Sequence, residues 1–233
     1  MNILAFDAAT PVLSIALSSE KGNFYFEADA GLRHSELLIE EARRLAGKAG
    51  LEAADISLLA CMGGPGSFTG LRIGFAAAKG MALGLGKPFV SVPTLDCMAL
   101  PHRHWSGAVL PVIDAKKNHF FGAVYREGKK ISPCLDSGIP ELLSFLIPGE
   151  KALVTGPDAG LFMENLEHCA GKDAFSFFMD RDCRAGHARH LLELAREKYI
   201  LQNCGDDFDT GPLYLRKSDA ELTLEERGGQ ERG

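Results

Sequence analysis

The residues with the clearest chemical potential form a glycine-rich run, GGPGSFTGLRIG, at positions 63–74. The run stands between a predicted strand and a predicted helix, where backbone amides and the helix dipole attract anions. Gly66 and Ser67 are therefore candidate anion or nucleotide contacts. However, the run lacks the GxxxxGKS/T pattern of a phosphate loop, and Ser67 is not set in the GxSxG sequence of a serine nucleophile. Neither motif is complete at this position.

Two aspartates, Asp7 and Asp114, each end a predicted apolar strand and precede a second apolar strand by a similar interval. An aspartate at a strand end can hold hydrated Mg²⁺ or position a nucleophile in phosphoryl transfer, and it can also simply cap a turn. Lys116 and Lys117, which follow Asp114, could contact an anion or face solvent. The matched spacing indicates two copies of one strand–turn–strand unit.

Two histidine pairs are the candidate metal ligands. His102 and His104 lie in a predicted loop, and His187 and His190 stand three residues apart near a predicted helix start, a spacing that lets two side chains share an ion. The sequence positions no third ligand, and exposed histidines explain both pairs. The six cysteines form no CxxC pair, so they are expected to be buried free thiols. No metal is predicted.

The elements that position these residues follow the order βββαβαβ in the first half of the chain. Strand-like and helix-like segments then restart near Gly107, and a shortened copy of the same pattern follows. This order predicts an α/β protein with two duplicated subdomains, each a mixed sheet flanked by helices. The predicted divisions are an N-terminal subdomain at residues 1–104, a C-terminal subdomain at 105–217 and a flexible tail at 218–233. The predicted strands are 2–6, 13–18, 24–27, 56–62, 89–92, 109–113, 120–125 and 152–155, and the predicted helices are 34–49, 71–85, 140–146 and 188–202.

The helix predicted after the glycine-rich run is apolar on nearly every side, with only Arg72 and Lys79 charged between Leu71 and Leu85. A helix that is apolar all round is buried all round. One face can pack on the chain's own sheet, and the other face would need a second chain to cover it. An ordinary core helix is the alternative explanation.

Composition excludes some classes of function. The chain has 233 residues, 46% of them hydrophobic, and a formal net charge of -6. This balance argues against a large basic surface, so direct tight binding of nucleic acid is not expected. The N-terminus lacks the basic start and apolar core of a signal peptide, and no apolar run is long enough to span a membrane. We therefore expect a cytoplasmic protein with no membrane contact.

Several segments together resemble the bacterial TsaB (YeaZ) family, which acts in tRNA threonylcarbamoyladenosine biosynthesis. The resemblance covers nearly the whole chain and rests on ILAFDAATPVLSIAL, HSELL, GGPGSFTGLRIGFAAAKG, VSVPTLD and PLYLRKSDAE. It implies an ASKHA (actin-like ATPase) fold with two duplicated subdomains, in agreement with the repeat. It also implies a scaffold that is required while its paralogue TsaD transfers the threonylcarbamoyl group to adenosine 37 of ANN-decoding tRNAs.

The resemblance further implies TsaD as a heterodimer partner, the ATPase TsaE as an additional partner, and homodimerisation through the same surface. Contact with tRNA is expected only through the complex. No cofactor is firmly implied, and ATP or ADP at the partner interface stays open. The residues expected at that interface lie on the helix after HSELL and on the helix after the glycine-rich run. They are Leu38, Ala42, Leu45, Gly70, Leu71, Gly74 and Ala78.

One local difference separates scaffold from catalyst. The catalytic paralogue carries a metal-binding HxxxH after the strand that follows the glycine-rich helix, and Thr94 and Met98 stand at those positions here. Threonine and methionine are poor ligands for a hard catalytic metal. The sequence therefore predicts a non-catalytic subunit. The alternative is an active ASKHA-type enzyme, either an ATP-dependent phosphotransferase or a glycoprotease-like metallopeptidase.

Overall fold

The first half of the chain forms a five-stranded mixed sheet in the order β3-β2-β1-β4-β5. Strand β1 pairs antiparallel with β2 and parallel with β4, and β5 continues parallel to β4 at the edge. The structure is a computed structural model that describes residues 1–216. The strands of this sheet are β1 (Ile3–Asp7), β2 (Val12–Ser19), β3 (Gly22–Asp29), β4 (Leu58–Met62) and β5 (Phe89–Val92).

The second half repeats this arrangement in the order β10-β7-β6-β11-β12, with a short β8–β9 hairpin beside β6. Strand β6 takes the place of β1, because it pairs antiparallel with β7 and parallel with β11. The predicted duplication and the predicted ASKHA-type fold are confirmed. The strands are β6 (Ala108–Lys116), β7 (His119–Gly122), β8 (Tyr125–Arg126), β9 (Lys129–Lys130), β10 (Leu135–Ser137), β11 (Lys151–Thr155) and β12 (Ser176–Met179).

Six α-helices cover the two sheets in the described part of the chain. Helices α1 and α2 lie side by side on one face of the N-terminal sheet, and α6 covers its other face. Helix α3, from the first half, packs on β6 of the second sheet and also contacts α6. The helices are α1 (His34–Ala49), α2 (Phe68–Leu85), α3 (Thr94–Ala99), α4 (Ile139–Leu143), α5 (Ala159–Leu166) and α6 (Ala188–Gln202).

The two halves are therefore interlocked, because each sheet is covered by a helix from the other half. The predicted division at 104/105 falls between α3 and β6, and it stays a prediction. The predicted tail at 218–233 lies outside the described residues. Among residues 1–216, no helix has the length and apolar character needed to cross a membrane.

The last described segment, residues 205–216, runs along β5 without forming a helix or strand. We call it the C-terminal strap. The amide of Asp206 donates to the carbonyl of Phe89 at 2.8 Å, and its carboxylate accepts from the amide of Ser91 at 2.7 Å. The strap thus satisfies part of the open edge of β5, which would otherwise be free to pair with another chain.

The sequence predicted most element bounds to within two residues, and helices α1 and α6 match fully. One strand was mispredicted: the segment 120–125 is divided, with β7 ending at Gly122 and β8 beginning at Tyr125. Between them, the amide of Val124 donates to Ser132 Oγ at 2.8 Å instead of continuing the ladder. The helices α3 and α5 and the short strands β9, β10 and β12 were not predicted. All six cysteines are free as predicted, but only Cys61 and Cys97 are buried.

Candidate functional site

The glycine-rich run is held by three neighbouring segments rather than left open for a ligand. The amide of Ser67 donates to the carbonyl of Ala9 at 2.8 Å, and that of Gly64 donates to Thr94 Oγ1 at 3.2 Å. The carbonyl of Gly63 accepts from the amide of Leu213 in the strap at 2.8 Å. The β1–β2 turn, the start of α3 and the strap therefore all meet at this run.

Two of its glycines are explained by this close packing. A Cβ on Gly70 would overlap the carbonyl oxygen of Ala8, and one on Gly66 would lie 2.6 Å from the carbonyl oxygen of Ala9. Ser67 caps helix α2, because its Oγ accepts from the amide of Gly70 at 3.2 Å. The approach of the β1–β2 turn therefore requires glycine at positions 66 and 70.

Asp7 is buried and fully engaged within the chain. Its Oδ2 accepts from the amide of His187 at 2.8 Å and from Ser14 Oγ at 3.3 Å. His187 occupies the N-cap position, immediately before the first residue of α6. The Oδ1 of Asp7 accepts from the amide of Ala9 at 3.1 Å. Burial raises the pKa of Asp7, although these hydrogen bonds act to lower it. The carboxylate thus holds the N-terminus of α6 against the end of β1, which is the capping role that the sequence left open.

Asp114 occupies the equivalent position in the repeat but has different contacts. Its carboxylate accepts from the amide of Lys116 at 2.7 Å and from its Nζ at 2.6 Å. Burial alone would raise the pKa of Asp114, but these hydrogen bonds and the charge of Lys116 outweigh it and lower the pKa. Lys116, Lys117 and Asn118 all have positive φ angles, of 64°, 55° and 60°. The tip of the β6–β7 turn is therefore in a conformation that non-glycine residues rarely adopt.

A cavity of about 300 Å³ lies between the glycine-rich run and the β6–β7 turn. It brings together Gly66 and Asp114, two of the four residues predicted at an anion or nucleotide site, and Lys116 lines it as well. Asp7 and Ser67 are not among its lining residues. The strap closes one side, because Arg216 donates to both carboxylate oxygens of Asp136 on β10, at 2.8 and 2.9 Å.

Thr94, the first residue of α3, and Met98, near its end, are both fully buried. Thr94 Oγ1 accepts from the amide of Gly64, and the carbonyl of Gly64 accepts from the amide of Thr94 at 2.9 Å. The threonine therefore fixes the glycine-rich run. Among residues 1–216, no three His, Cys, Asp or Glu side chains are already grouped around a metal position.

The seven residues predicted to contact a partner lie in the chain's own core. Leu38, Ala42, Leu45, Leu71 and Ala78 are each no more than 3% exposed. Gly70 and Gly74 are also buried. The predicted contact residues are therefore wrong, because these side chains lie on the faces of α1 and α2 that pack on the chain's own sheet. The docking role of the two helices itself stays a prediction.

The outer face of α2 is small and apolar. Ala76, Gly80 and Gly84 are exposed, and Leu83 is 66% exposed. Ile73, Ala77 and Met81 are half-buried beside them and contact the core below. Helix α1 adds Ile39, which is 52% exposed. We call the exposed stripe Ala76, Gly80, Leu83 and Gly84 the α2 face.

The α2 face is bordered by Arg72, which connects α2 to the strap. Its Nε donates to Tyr214 Oη at 3.1 Å, and its guanidinium lies 3.9 Å from the centre of the Phe68 ring. The rings of Phe68 and Tyr214 lie 4.7 Å apart. The strap, the glycine-rich run and the α2 face therefore form one continuous surface.

The expectation that both histidine pairs are exposed is wrong for His187, which is 4% exposed. Its Nδ1 lies 3.4 Å from Nδ1 of His190. Burial lowers the pKa of each imidazole to about 4, so both are neutral at pH 7. His104 is exposed, and His102 is partly buried with Nε2 3.0 Å from Oδ2 of Asp180. The sequence signal for His187 was only its place at a helix start, which does not reveal what packs over it.

Comparisons with known proteins place these features in context. A family model described as "TsaD: tRNA N6-adenosine threonylcarbamoyltransferase" matches residues 28–163. The "tRNA threonylcarbamoyladenosine biosynthesis protein TsaB" of Escherichia coli is 38% identical over 129 residues, which cover 54% of this chain and 55% of that protein. The protein of the same description from Haemophilus influenzae is 27% identical over 244 residues, covering 99% of both chains. Among solved structures, YeaZ from Pseudomonas aeruginosa superposes with a TM-score of 0.72 at 22% identity, covering 92% of this chain and 99% of that one.

The glycine packing generates a first prediction. We expect Gly70→Ala to lower the free energy of unfolding by about 1–3 kcal/mol, because the added methyl group would overlap the carbonyl of Ala8. Gly80→Ala is the matched control on the same helix. No atom lies within 4 Å of a Cβ built on Gly80, so better helix propensity should stabilise the protein by about 0.5–1 kcal/mol. Urea unfolding measures both, and equal effects would contradict the close approach.

The two equivalent aspartates generate a second prediction. Asp7→Ala leaves the buried amide of His187 without its acceptor, so we expect a loss of about 1–3 kcal/mol in the free energy of unfolding. Asp114→Ala removes a pair in which the Lys116 side chain is 81% exposed, and we expect a loss of about 0.5 kcal/mol or less. Chemical denaturation of the two variants side by side checks this. An Asp7→Ala protein as stable as Asp114→Ala would show that Asp7 does not secure α6.

Proposed function

Because this chain belongs to the TsaB (YeaZ) family of tRNA threonylcarbamoyladenosine biosynthesis proteins, we propose that it is a non-catalytic docking subunit of the threonylcarbamoyl transfer machinery. Its involvement in threonylcarbamoyladenosine biosynthesis follows from the family. In this pathway the chain binds the TsaD-type transferase that modifies adenosine 37 of ANN-decoding tRNAs. TsaE is a further partner, and contact with tRNA occurs only through the complex.

The structural contacts of three buried side chains support a non-catalytic role. Asp7 caps a helix, Thr94 holds the glycine-rich run, and Met98 is buried in the core. The positions where the catalytic paralogue would hold a metal are thus occupied by side chains with structural contacts. A group that acts in acid–base or metal chemistry must reach its substrate, and these three do not face open space.

The main support for docking is the exposed apolar surface of the α2 face. Small residues at Ala76, Gly80 and Gly84 allow the backbone of another helix to approach closely, and Leu83 supplies apolar area to bury. Burial of such area contributes about 25 cal/mol per Å² before the costs of association. A transferase subunit and a second copy of this chain would use the same face, so the heterodimer and the homodimer compete for it.

The test replaces a residue of the α2 face without disturbing the core. In Gly80→Arg, the side chain projects into open space and places a charge in the apolar contact. We expect at least a tenfold loss of affinity for the transferase subunit, with an unchanged melting temperature. Gly160→Arg on α5 is the matched control, since its Cβ also meets no atom within 4 Å. Isothermal titration calorimetry with the purified transferase measures binding.

Two outcomes would contradict this assignment. Wild-type affinity in Gly80→Arg would exclude the α2 face, and an equal loss in Gly160→Arg would show that the effect is not local. Substitutions at Gly74 or Leu45 cannot replace this test, because both residues are buried and their replacement disturbs the core.

The second candidate function is an active ATP-dependent enzyme. The cavity lined by Gly66, Asp114 and Lys116 favours it, because a lysine and a glycine-rich segment face the same space. ATP or ADP bound there, next to the partner surface, would also be compatible with a docking subunit. ATP hydrolysis by the isolated chain would distinguish an active enzyme from a docking subunit.

Reconstitution of tRNA modification provides the corresponding prediction. We expect the isolated chain to transfer no threonylcarbamoyl group and to hydrolyse no ATP, whereas its addition to the transferase should raise incorporation into tRNA at least tenfold. Transfer of radiolabelled threonine into tRNA, with parallel phosphate release, measures both activities. ATP turnover by the isolated chain that Lys116→Ala abolishes would instead establish the enzyme.

A further inference from the structure

Strand β12 forms an open edge of the C-terminal sheet. Among residues 1–216 it pairs with β11 alone. In the N-terminal sheet, β5 holds the equivalent edge position, and the strap lies along it with the amide of Asp206 bonded to the carbonyl of Phe89. In the described part of the chain, no such segment lies along β12. The chain therefore covers this edge in one half and leaves it open in the other.

The open side of β12 presents unpaired backbone groups. The amides of Ser176 and Asp180 donate to carbonyls of the segment that contains β11, at 3.0 and 2.9 Å. Because the backbone groups of successive residues point to opposite sides of a strand, those of Phe177 and Met179 point away from β11. These amides and carbonyls are the groups that a further strand would bind.

The side chains at this edge are apolar and partly exposed. Phe178 is 43% exposed and Met179 is 49% exposed. The ring of Phe178 lies 5.6 Å from that of Trp105, which extends the apolar surface on one face of the sheet. Charged residues and proline are common devices that keep an edge strand from pairing, and β12 contains neither. Its sequence therefore does not oppose pairing with another strand.

The strand is self-complementary in the antiparallel direction. When Phe178 lies opposite Phe178 of a second copy, each Phe177 lies opposite a Met179 of the other copy. Both of these residues have outward backbone groups, so each such pair exchanges amide-to-carbonyl bonds in both directions. The two Phe178 rings form an aromatic cross-strand pair, which stabilises an antiparallel sheet.

Charges beside the strand also favour the antiparallel direction. Asp173 precedes β12 and Arg181 follows it, and both are exposed. Lys172 is already engaged in an ion pair, and Arg184 adds a second positive charge after the strand, against one from Asp182. Antiparallel pairing brings the acidic end of one copy near the basic end of the other, whereas parallel pairing brings like charges together.

We propose that β12 is a self-association surface, at which two copies of this chain pair antiparallel about a two-fold axis. The pairing continues the C-terminal sheet from one copy into the other and leaves no open β12 edge, so association ends at the dimer. The strand has only four residues, which makes the dimer reversible. This surface lies in the other half of the chain from the α2 face, so it does not compete with docking there.

The experiment measures self-association of the full-length protein by sedimentation equilibrium in a Gly80→Arg background, which removes any dimer formed through the α2 face. We expect a monomer–dimer equilibrium in this background. Phe178→Lys and Met179→Lys each add a charge at the β12 edge and should weaken dimerisation at least tenfold. Ile200→Lys is the matched control, because Ile200 is 65% exposed and lies on α6, outside the C-terminal sheet. It should dimerise as the background protein does.

Amide hydrogen exchange, followed by NMR, tests the pairing itself. The amides of Phe177 and Met179 should exchange at least tenfold more slowly at high protein concentration than at low concentration. The amide of Phe178 faces β11 and should not respond to concentration.

Three results would overturn the proposal. They are a monomer at every concentration, an equal loss of dimer in Ile200→Lys, and a dimer that leaves the exchange of Phe177 and Met179 unchanged. If Phe178→Lys fails to fold, Met179→Lys still decides the outcome. Because the exchange measurement reports on β12 alone, a failure of docking at the α2 face is distinguishable from a failure of this pairing.

Discussion

The hydrogen bond from the amide of His187 to the buried carboxylate of Asp7 joins the last helix of the described chain to its first strand. Through it, the last helix of the second half is fixed on the sheet of the first half. Ser14 reinforces the junction by accepting from the amide of Ala188 at 3.0 Å. A carboxylate at a helix N-terminus is stabilised by the free amides and by the helix dipole. The cap and the apolar face of α6 together hold this helix on the N-terminal sheet.

The same constraint shapes the surface that we propose for docking. The turn after Asp7 is pressed against the glycine-rich run, so Gly66 and Gly70 have no room for side chains. The run in turn fixes the start of α2, whose outer face is left with small and apolar residues. Asp7 and Thr94 are used within the chain, and the α2 face is the exposed surface that we propose for a partner.

The duplicated aspartates show how two equivalent positions can diverge. Asp7 is buried under a helix from the other half, whereas Asp114 faces a cavity and pairs with Lys116, whose side chain is 81% exposed. The backbone topology around them is the same, since β1 and β6 have equivalent neighbours. The two strand ends differ in the element that packs over them. Helix α6 covers Asp7, so its carboxylate is structural, whereas Asp114 lines a cavity and is accessible.

The sequence by itself determined the order of the main strands and helices, the duplication and the family, because hydrophobic periodicity and motif spacing are local properties. It did not determine which face of α1 and α2 is free, so residues such as Leu38 and Ala78 were expected at an interface although they are core. Nor did it show that Asp7 caps a helix or that His187 is buried. Those contacts join residues up to 180 positions apart. Only the tertiary structure decides them, since burial depends on which distant element packs over a residue.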